Sequence, residues 1–224
     1  MKLTEYPDQD MMMIDIANQL AGEIKNVLMH ANTASLVVPG GSTPGQVFDY
    51  LSAADLDWSR VHVALSDERW VPESSPRSNT RLLKERLLVG RARAAVYLPL
   101  FAAAETPEEK LPELAAAITP HLPISVLLLG MGADMHTASL FPGADNLALA
   151  LSADAPTLVA MRAPGAPEPR ITFSAPVLAG ALSTHIVITG EEKRKALQKA
   201  RALRDPVIAP VSVVLQGATV HWAA

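Results

Sequence analysis

Ile124-Ser-Val-Leu-Leu-Leu-Gly130-Met-Gly-Ala-Asp134-Met-His136-Thr-Ala-Ser-Leu-Phe-Pro-Gly143 is the stretch whose reading decides the fold. Its first part, Ile124–Leu129, is apolar, β-branched at its start, and bounded by Pro123 and Gly130. A short run of this kind predicts a strand buried on both faces, as found inside a parallel sheet. Gly130 and Gly132 follow at once and allow a tight turn with amide groups open to a ligand. Asp134, His136, Thr137 and Ser139 lie in the same loop. Ligands of open α/β sheets bind just beyond the carboxyl ends of strands, where this loop falls. The plainer alternative is a turn whose Asp and His cap the next short helix.

Upstream, Met13, Ile16, Ala17, Leu20, Ile24, Val27 and Leu28 recur at helical spacing and predict a first long helix. Ala34–Val38 reads as a strand that ends in Pro39-Gly40-Gly41-Ser42-Thr43-Pro44. Thr43 with Gln46 makes a capping box, and Pro44 falls at the favoured first helical position. Strand, glycine turn and helix N-terminus together make an anion site. The stretch lacks the Gly-Lys-Ser/Thr ending of a P-loop and the Gly-x-Gly-x-x-Gly dinucleotide pattern, so a monophosphate fits it better than a nucleotide. A plain tight turn would read the same way. The next strand, Val61–Leu65, delivers Ser66-Asp67-Glu68-Arg69-Trp70-Val71-Pro72. Three adjacent ionisable groups at a strand end are costly unless paired, and either a salt-bridged surface loop or a ligand site would pair them. Trp70 reads as a packing residue. Ser74–Asn79 is a loop, and Leu82, Leu83 and Leu87 mark a helix after it.

Further along, Ala95–Leu98 is a short strand and Pro107–Ile118 a helix. Thr157–Met161 is another strand, running into a stiff proline-rich loop that reaches Arg170. Ile171-Thr172-Phe173 and the small-residue segment Ala175–Leu182 come next. Ile186-Val-Ile-Thr189-Gly-Glu-Glu192-Lys193 is a strand followed by a second capping box, Thr189 with Glu192, opening a helix to about Ala202. Lys193 sits in the positive first turn of that helix. It is either an ordinary exposed lysine or the partner of a nearby anion. Val211–Leu215 and Thr219–Trp222 read as closing strands.

Composition bounds what such a chain can be. With 224 residues and 49% hydrophobic content, residues 1–224 are expected to form one α/β domain, burying roughly 70% of the unfolded surface. A net charge of −4 gives no general attraction to nucleic acid or to an anionic membrane. The chain has no cysteine, which suits a reducing cytosol and leaves no thiolate for catalysis or metal binding. Glu5, Asp8 and Asp10 precede any apolar run, unlike a signal peptide, and no apolar segment approaches the ~20 residues of a membrane helix. A cytoplasmic protein is expected, with neither nucleic acid nor membrane as partner, as a monomer or small homo-oligomer. The alternation of strand and helix predicts a mostly parallel sheet covered by helices on both faces. Five strand-end segments then converge: Gly40–Thr43, Asp67–Arg69, Gly130–His136, Arg170 and Lys193. Their amides, cations, carboxylates and one histidine suit a phosphorylated small molecule with a hydrolysable or proton-labile centre. His30, His62, His121, His185 and His221 are scattered, and none has metal-ligand spacing, so no metal is expected.

Five motifs in order carry a family resemblance. Gly40-Gly-Ser-Thr-Pro44, Asp67-Glu-Arg-Trp-Val-Pro72 with Ser78-Asn79, Gly130-Met-Gly-Ala-Asp-x-His-Thr-Ala-Ser-Leu-Phe-Pro-Gly143, Pro169-Arg-Ile-Thr172 and Thr189-Gly-Glu-Glu-Lys193 span most of the chain. The chain thereby resembles the 6-phosphogluconolactonases of the glucosamine-6-phosphate isomerase/6-phosphogluconolactonase family. The resemblance implies a Rossmann-like α/β sheet and hydrolysis of 6-phospho-D-glucono-1,5-lactone to 6-phosphogluconate in the pentose phosphate pathway, with no cofactor. It implies His136 as general base, Asp134 placing groups around it, and Arg69 steadying the oxyanion or orienting substrate. Gly40, Gly41, Ser42, Thr43, Arg170 and Lys193 would hold the phosphate, with Asp67 also binding substrate. The alternative is the deaminase/isomerase chemistry of the sister branch. That branch has Asp-Glu-Tyr where this chain has Asp67-Glu68-Arg69, and an acidic residue where this chain has Phe141. The chain departs from the lactonase pattern at Met135, where the family has glycine, and at Pro39, where it has serine. If position 135 takes φ > 0, methionine there costs about 1–2 kcal/mol.

Overall fold

Strands made mostly of apolar residues need cover on both faces, and the central strands have it: all five residues of Ala34–Val38, Ser35 included, are buried. The computed structural model describes residues 1–224. Its strands are β1 (Lys2–Glu5), β2 (Ala34–Val38), β3 (Val61–Leu65), β4 (Asp67–Arg69), β5 (Val96–Leu98), β6 (Val126–Gly130), β7 (Leu158–Met161), β8 (Arg170–Phe173), β9 (Ser183–Thr189) and β10 (Thr219–Ala223). Its helices are α1 (Gln9–His30), α2 (Gly45–Ser52), α3 (Asn79–Arg86), α4 (Leu111–Ile118), α5 (Leu147–Leu151), α6 (Ala175–Ala179) and α7 (Gly190–Leu203). Seven strands form one sheet in the order β1-β10-β9-β6-β2-β3-β5, every pair parallel.

The order reverses between β2 and β6. From β2 the chain winds outward through β3 to β5, and from β6 it winds the other way through β9 to β10. Loops leaving two such neighbours diverge and open a crevice at the carboxyl edge, the usual ligand position in open α/β sheets. Helix α1 begins at Asp8, whose carboxylate accepts from the Met11 amide at 2.8 Å, and it buries Met12, Met13, Ile16, Ala17, Leu20 and Ile24. That stripe packs on β2, β6, β9 and β10, while α7 packs on β9 and β10. One contiguous hydrophobic core runs from Met12 to Ala223. No helix is long and apolar enough to cross a membrane.

A second sheet, β4-β8-β7, is antiparallel and goes beyond the sequence expectation. Asp67–Arg69 is therefore a strand rather than a loop, with Asp67 opposite Thr172 and Arg69 opposite Arg170. Buried Ser66 is the switch between sheets: its amide donates to the Val38 carbonyl at 2.8 Å, and its carbonyl accepts from the Phe173 amide at 3.1 Å. β1, a four-residue edge strand, is likewise an addition.

Three local expectations are corrected. Neither capping box forms: α2 starts at Gly45 with Pro44 at the N-cap and no side-chain bond, and Gln46 donates to Asp10 instead, at 3.3 Å. Thr189 caps nothing with its side chain because it still pairs with Ala223 as a strand residue. Val211–Leu215 is not a strand: Pro210–Val214 forms a 3₁₀ turn, in which Val211 and Val214, three apart, face the core. The helix expected over Pro107–Ile118 is split. Pro107–Glu109 is a 3₁₀ turn and α4 restarts at Leu111, because Pro112 has no amide to continue a helical ladder and is tolerated only in a first turn.

Candidate active site

All five segments singled out in the sequence meet at the switch point. They line a cavity of about 260 Å³ between the loops after β2 and β6, bounded by Pro39–Pro44, Asp67, Arg69, Asn79, Gly130–Gly132, His136, Ala138, Arg170, Val187 and Lys193. The loop after β2 turns at Gly41, whose φ of 91° only glycine adopts at low cost. Gly40 lies flush against the Asn79 carboxamide, so any side chain at position 40 would displace it. Asn79 in turn donates to the Asp67 carbonyl at 3.1 Å, tying the β2 loop to β4.

The loop after β6 presents His136. The amide of Gly132 donates to the His136 carbonyl at 3.0 Å, and Met135 donates back to Gly132 at 3.0 Å, closing a tight turn. Met135 and Ala138, on either side of His136, have φ of 68° and 49°. The positive φ at position 135 is thus real, and methionine occupies it while its side chain is 5% exposed in the core. A side chain at Gly132 would collide with both His136 and Asp134. The Asp134 carboxylate lies 2.5 Å from His136 Nδ1 and accepts from its amide at 3.2 Å. The bond from His136 holds the Asp134 carboxyl below the usual carboxylate range. An ionised Asp134 takes a proton-bearing Nδ1, so the lone pair of a neutral ring sits on Nε2, which has no partner in the protein. Asp134 itself does not line the cavity; it stands behind His136.

The carboxylates of β4 divide the work. Glu68, fully buried, accepts from the amides of Arg69, Asn79 and Thr80 and from the hydroxyls of Ser78 and Thr80, at 2.7–3.2 Å. It satisfies the free amides at the start of α3 and faces away from the cavity. Asp67 lines the cavity and accepts from Ser66 Oγ at 2.9 Å and Ser139 Oγ at 2.6 Å, with Arg170 Nη1 at 3.8 Å.

The cations are underpaired. Arg69 donates through Nη1 to the Arg77 carbonyl at 2.7 Å, and its buried Nε has no partner. The Nε of Arg170 is also buried without a partner. Burial pushes the Arg170 guanidinium down from its ordinary value, against the attraction of Asp67. Lys193 makes no ion pair, whereas its neighbour Arg194 pairs with Glu5 and Glu191. Three cations facing one carboxylate in a half-closed cavity leave an excess of positive charge, which an anionic ligand would neutralise. Sequence reasoning did not assign Asn79, Ser139 or Phe141 to the site. All three lie within the quoted motifs, Asn79 beside Ser78 and the other two in Gly130–Gly143, so that membership was a signal that could have found them.

A cavity at the switch point of a parallel sheet, combining an anchored histidine, underpaired cations and a glycine turn, defines the class of α/β enzymes whose sites suit small anionic molecules. The chain belongs to the family described as glucosamine-6-phosphate isomerases/6-phosphogluconolactonase, whose model matches residues 7–222. It is 40% identical to a 6-phosphogluconolactonase of Pseudomonas aeruginosa over 215 residues, covering 92% of this chain and 88% of that one. It is 41% identical to one of Rhizobium meliloti over 217 residues, covering 93% and 92%. The crystal structure of a 6-phosphogluconolactonase from Shewanella baltica superposes with a TM-score of 0.96 at 32% identity, covering 100% of this chain and 97% of that one.

Proposed function

We propose that this chain hydrolyses 6-phospho-D-glucono-1,5-lactone to 6-phosphogluconate, residues 1–224 acting as one unit. One observation carries the reading: His136, with Nδ1 anchored on Asp134, opens into the same cavity as three cations without full partners. Water attacks the lactone carbonyl carbon and gives its proton to His136 Nε2. Negative charge gathers on the former carbonyl oxygen, where Arg69 meets it. The tetrahedral intermediate collapses by breaking the bond to the ring oxygen, and His136 returns the proton to that leaving oxygen. Asp134 holds the ring orientation and stabilises the transient imidazolium.

The 6-phosphate lies against the Gly40–Thr43 turn with Lys193 and Arg170, and Asp67 accepts a hydrogen bond from a sugar hydroxyl. Binding energy from this remote anion places the carbonyl for attack. The aromatic Phe141, where the sister branch has an acid, favours the lactonase over the deaminase. The test is a lactonase assay with spontaneous hydrolysis subtracted, run beside an assay for ammonia released from glucosamine 6-phosphate. Lactone turnover without ammonia is expected. The reverse result would assign the chain to the deaminase branch.

A further inference from the structure

Phe141 is a large aromatic residue that stands apart from the hydrophobic core. It is half-buried, yet it belongs neither to the core, nor to the apolar side chains packed on it, nor to the exposed ones. Its neighbours are instead two polar groups of the cavity. Its ring centroid lies 4.3 Å from that of His136, inclined by 36°. The same ring has the guanidinium carbon of Arg170 5.2 Å from its centroid. Arg170 is also held near Asp67, and His136 on Asp134, so each group has one polar tether and one aromatic contact.

We infer that Phe141 is a positioning residue for the reaction: its ring fixes the imidazole of His136 and the guanidinium of Arg170 as two separately seated groups on one aromatic surface. This rests on the reaction given under Proposed function. When His136 takes the proton from water it becomes a cation near a permanent one. An aliphatic side chain would offer that imidazolium nothing in return, whereas an aromatic face attracts it as it attracts Arg170. The contact to Arg170 exists before and after proton transfer, so its loss falls on binding. The contact to His136 strengthens only once the ring is charged, so its loss falls on turnover.

The experiment compares Phe141→Leu, Phe141→Tyr and Phe141→Trp with the wild-type protein on 6-phosphogluconolactone. Phe141→Leu is expected to lower kcat roughly 3–30-fold and to raise KM up to about 5-fold, the range of a cation–aromatic contact. An aromatic replacement, Tyr or Trp, should restore kcat to within about 3-fold of wild type. Thermal unfolding of Phe141→Leu should stay at the wild-type midpoint, because the ring is no part of the core. Three results would overturn the inference: wild-type kcat in Phe141→Leu, equal loss in the leucine and both aromatic variants, or a loss accompanied by a matching drop in the unfolding midpoint. A wild-type chain without lactonase activity would overturn it as well. That outcome is distinguishable, since it strikes the proposed reaction before any variant is compared.

Discussion

His136 and the buried pair His185–His221 use the same side chain in opposite ways. His136 has one ring nitrogen bound and the other open to the cavity, on a loop with two non-glycine residues at positive φ. His185 and His221 lie in β9 and β10, paired in register as regular strands, and are 2% and 0% exposed. Every nitrogen of that pair is taken. His221 Nδ1 lies 2.7 Å from the Tyr6 hydroxyl, which itself donates to Asp15 at 2.6 Å. His185 bridges His221 Nε2 and Glu23, at 3.0 Å each. A histidine closed on all sides has no lone pair for a substrate and acts as architecture. One left half-satisfied beside cations keeps its proton chemistry available, and its loop carries backbone strain that the surrounding fold must offset.

The largest expected effect separates the two directly. His136→Asn should lower kcat by roughly 10²–10⁴ with little change in KM and in unfolding free energy. His221→Gln should do the reverse, leaving kcat near wild type and lowering stability. Steady-state kinetics with urea unfolding on both variants decides it. Wild-type turnover in His136→Asn would remove the general-base assignment and leave the comparison without its catalytic half.

Acid should reveal the closed network next. Burial, with His185 adding to it, holds the His221 imidazole down at about 4, opposed by Asp15 and Glu23 of α1. Tyr6 and Lys2 are its other ionisable neighbours. In the unfolded chain an imidazole titrates near ~6.5, so as pH falls the unfolded state binds this proton first. The stability contributed by neutral His221 is full above about pH 6.5 and is lost as pH drops towards 4, a span worth about 3 kcal/mol. The stability gap between wild type and His221→Gln should therefore shrink between pH 7 and pH 4.5. A gap that stays constant over that range would sink the claim.

How much of this was legible in the sequence depends on distance along the chain. Ala34–Val38 and Val61–Leu65 match the expected strands residue for residue, since an apolar run with glycine or polar ends is a local signal. Most site segments were legible too, because Gly40–Thr43, Asp67–Arg69, Gly130–His136 and Lys193 come just after strands whose ends the fold gathers, whereas Arg170 opens β8. The second sheet was not: β7 fell within an expected strand, but β4 and β8 have only three and four residues, too few to show a period, and they pair with each other across about a hundred residues. Nor could the bond from Ser139 to Asp67 be read, as 72 residues separate them. The capping boxes failed for a related reason. Their local pattern is sound, but Thr43 lies in a turn that opens onto the cavity and Thr189 stays in its sheet.

The open half of the comparison can be sharpened by sorting its cations. Lys193→Ala and Arg170→Ala should each raise KM roughly 10–100-fold, the worth of a charge-assisted contact made throughout the reaction. Arg69→Ala should lower kcat instead, by roughly 10²-fold, if the charge it meets develops only on attack. On gluconolactone lacking the phosphate, Lys193→Ala should have no effect. Equal harm to both lactones would mean that Lys193 does not hold phosphate, and the unpaired-cation argument would lose its strongest member.

The smallest effect probes the strain that distinguishes the His136 loop from the regular strands of His185 and His221. Met135 combines a φ of 68° with a buried side chain, so its substitution sets two opposing effects against each other. Met135→Ala keeps the left-handed penalty of about 1–2 kcal/mol and forfeits the packing of a thioether chain, about 2 kcal/mol or more. Met135→Gly forfeits the same packing but relieves the strain, offset in part by roughly 0.5–1 kcal/mol of extra freedom in the unfolded chain. The glycine variant should therefore be more stable than the alanine variant by about 0.5–1 kcal/mol, the opposite of the order in a regular strand or helix. Its kcat should remain within about 2-fold of wild type, since the bonds from Gly132 and Asp134 that seat His136 do not involve the Met135 side chain. Urea unfolding of the two variants measures the difference. An alanine variant more stable than the glycine one would show that the loop bears no strain at position 135, and the contrast between the two histidine sites would then rest on hydrogen bonding alone.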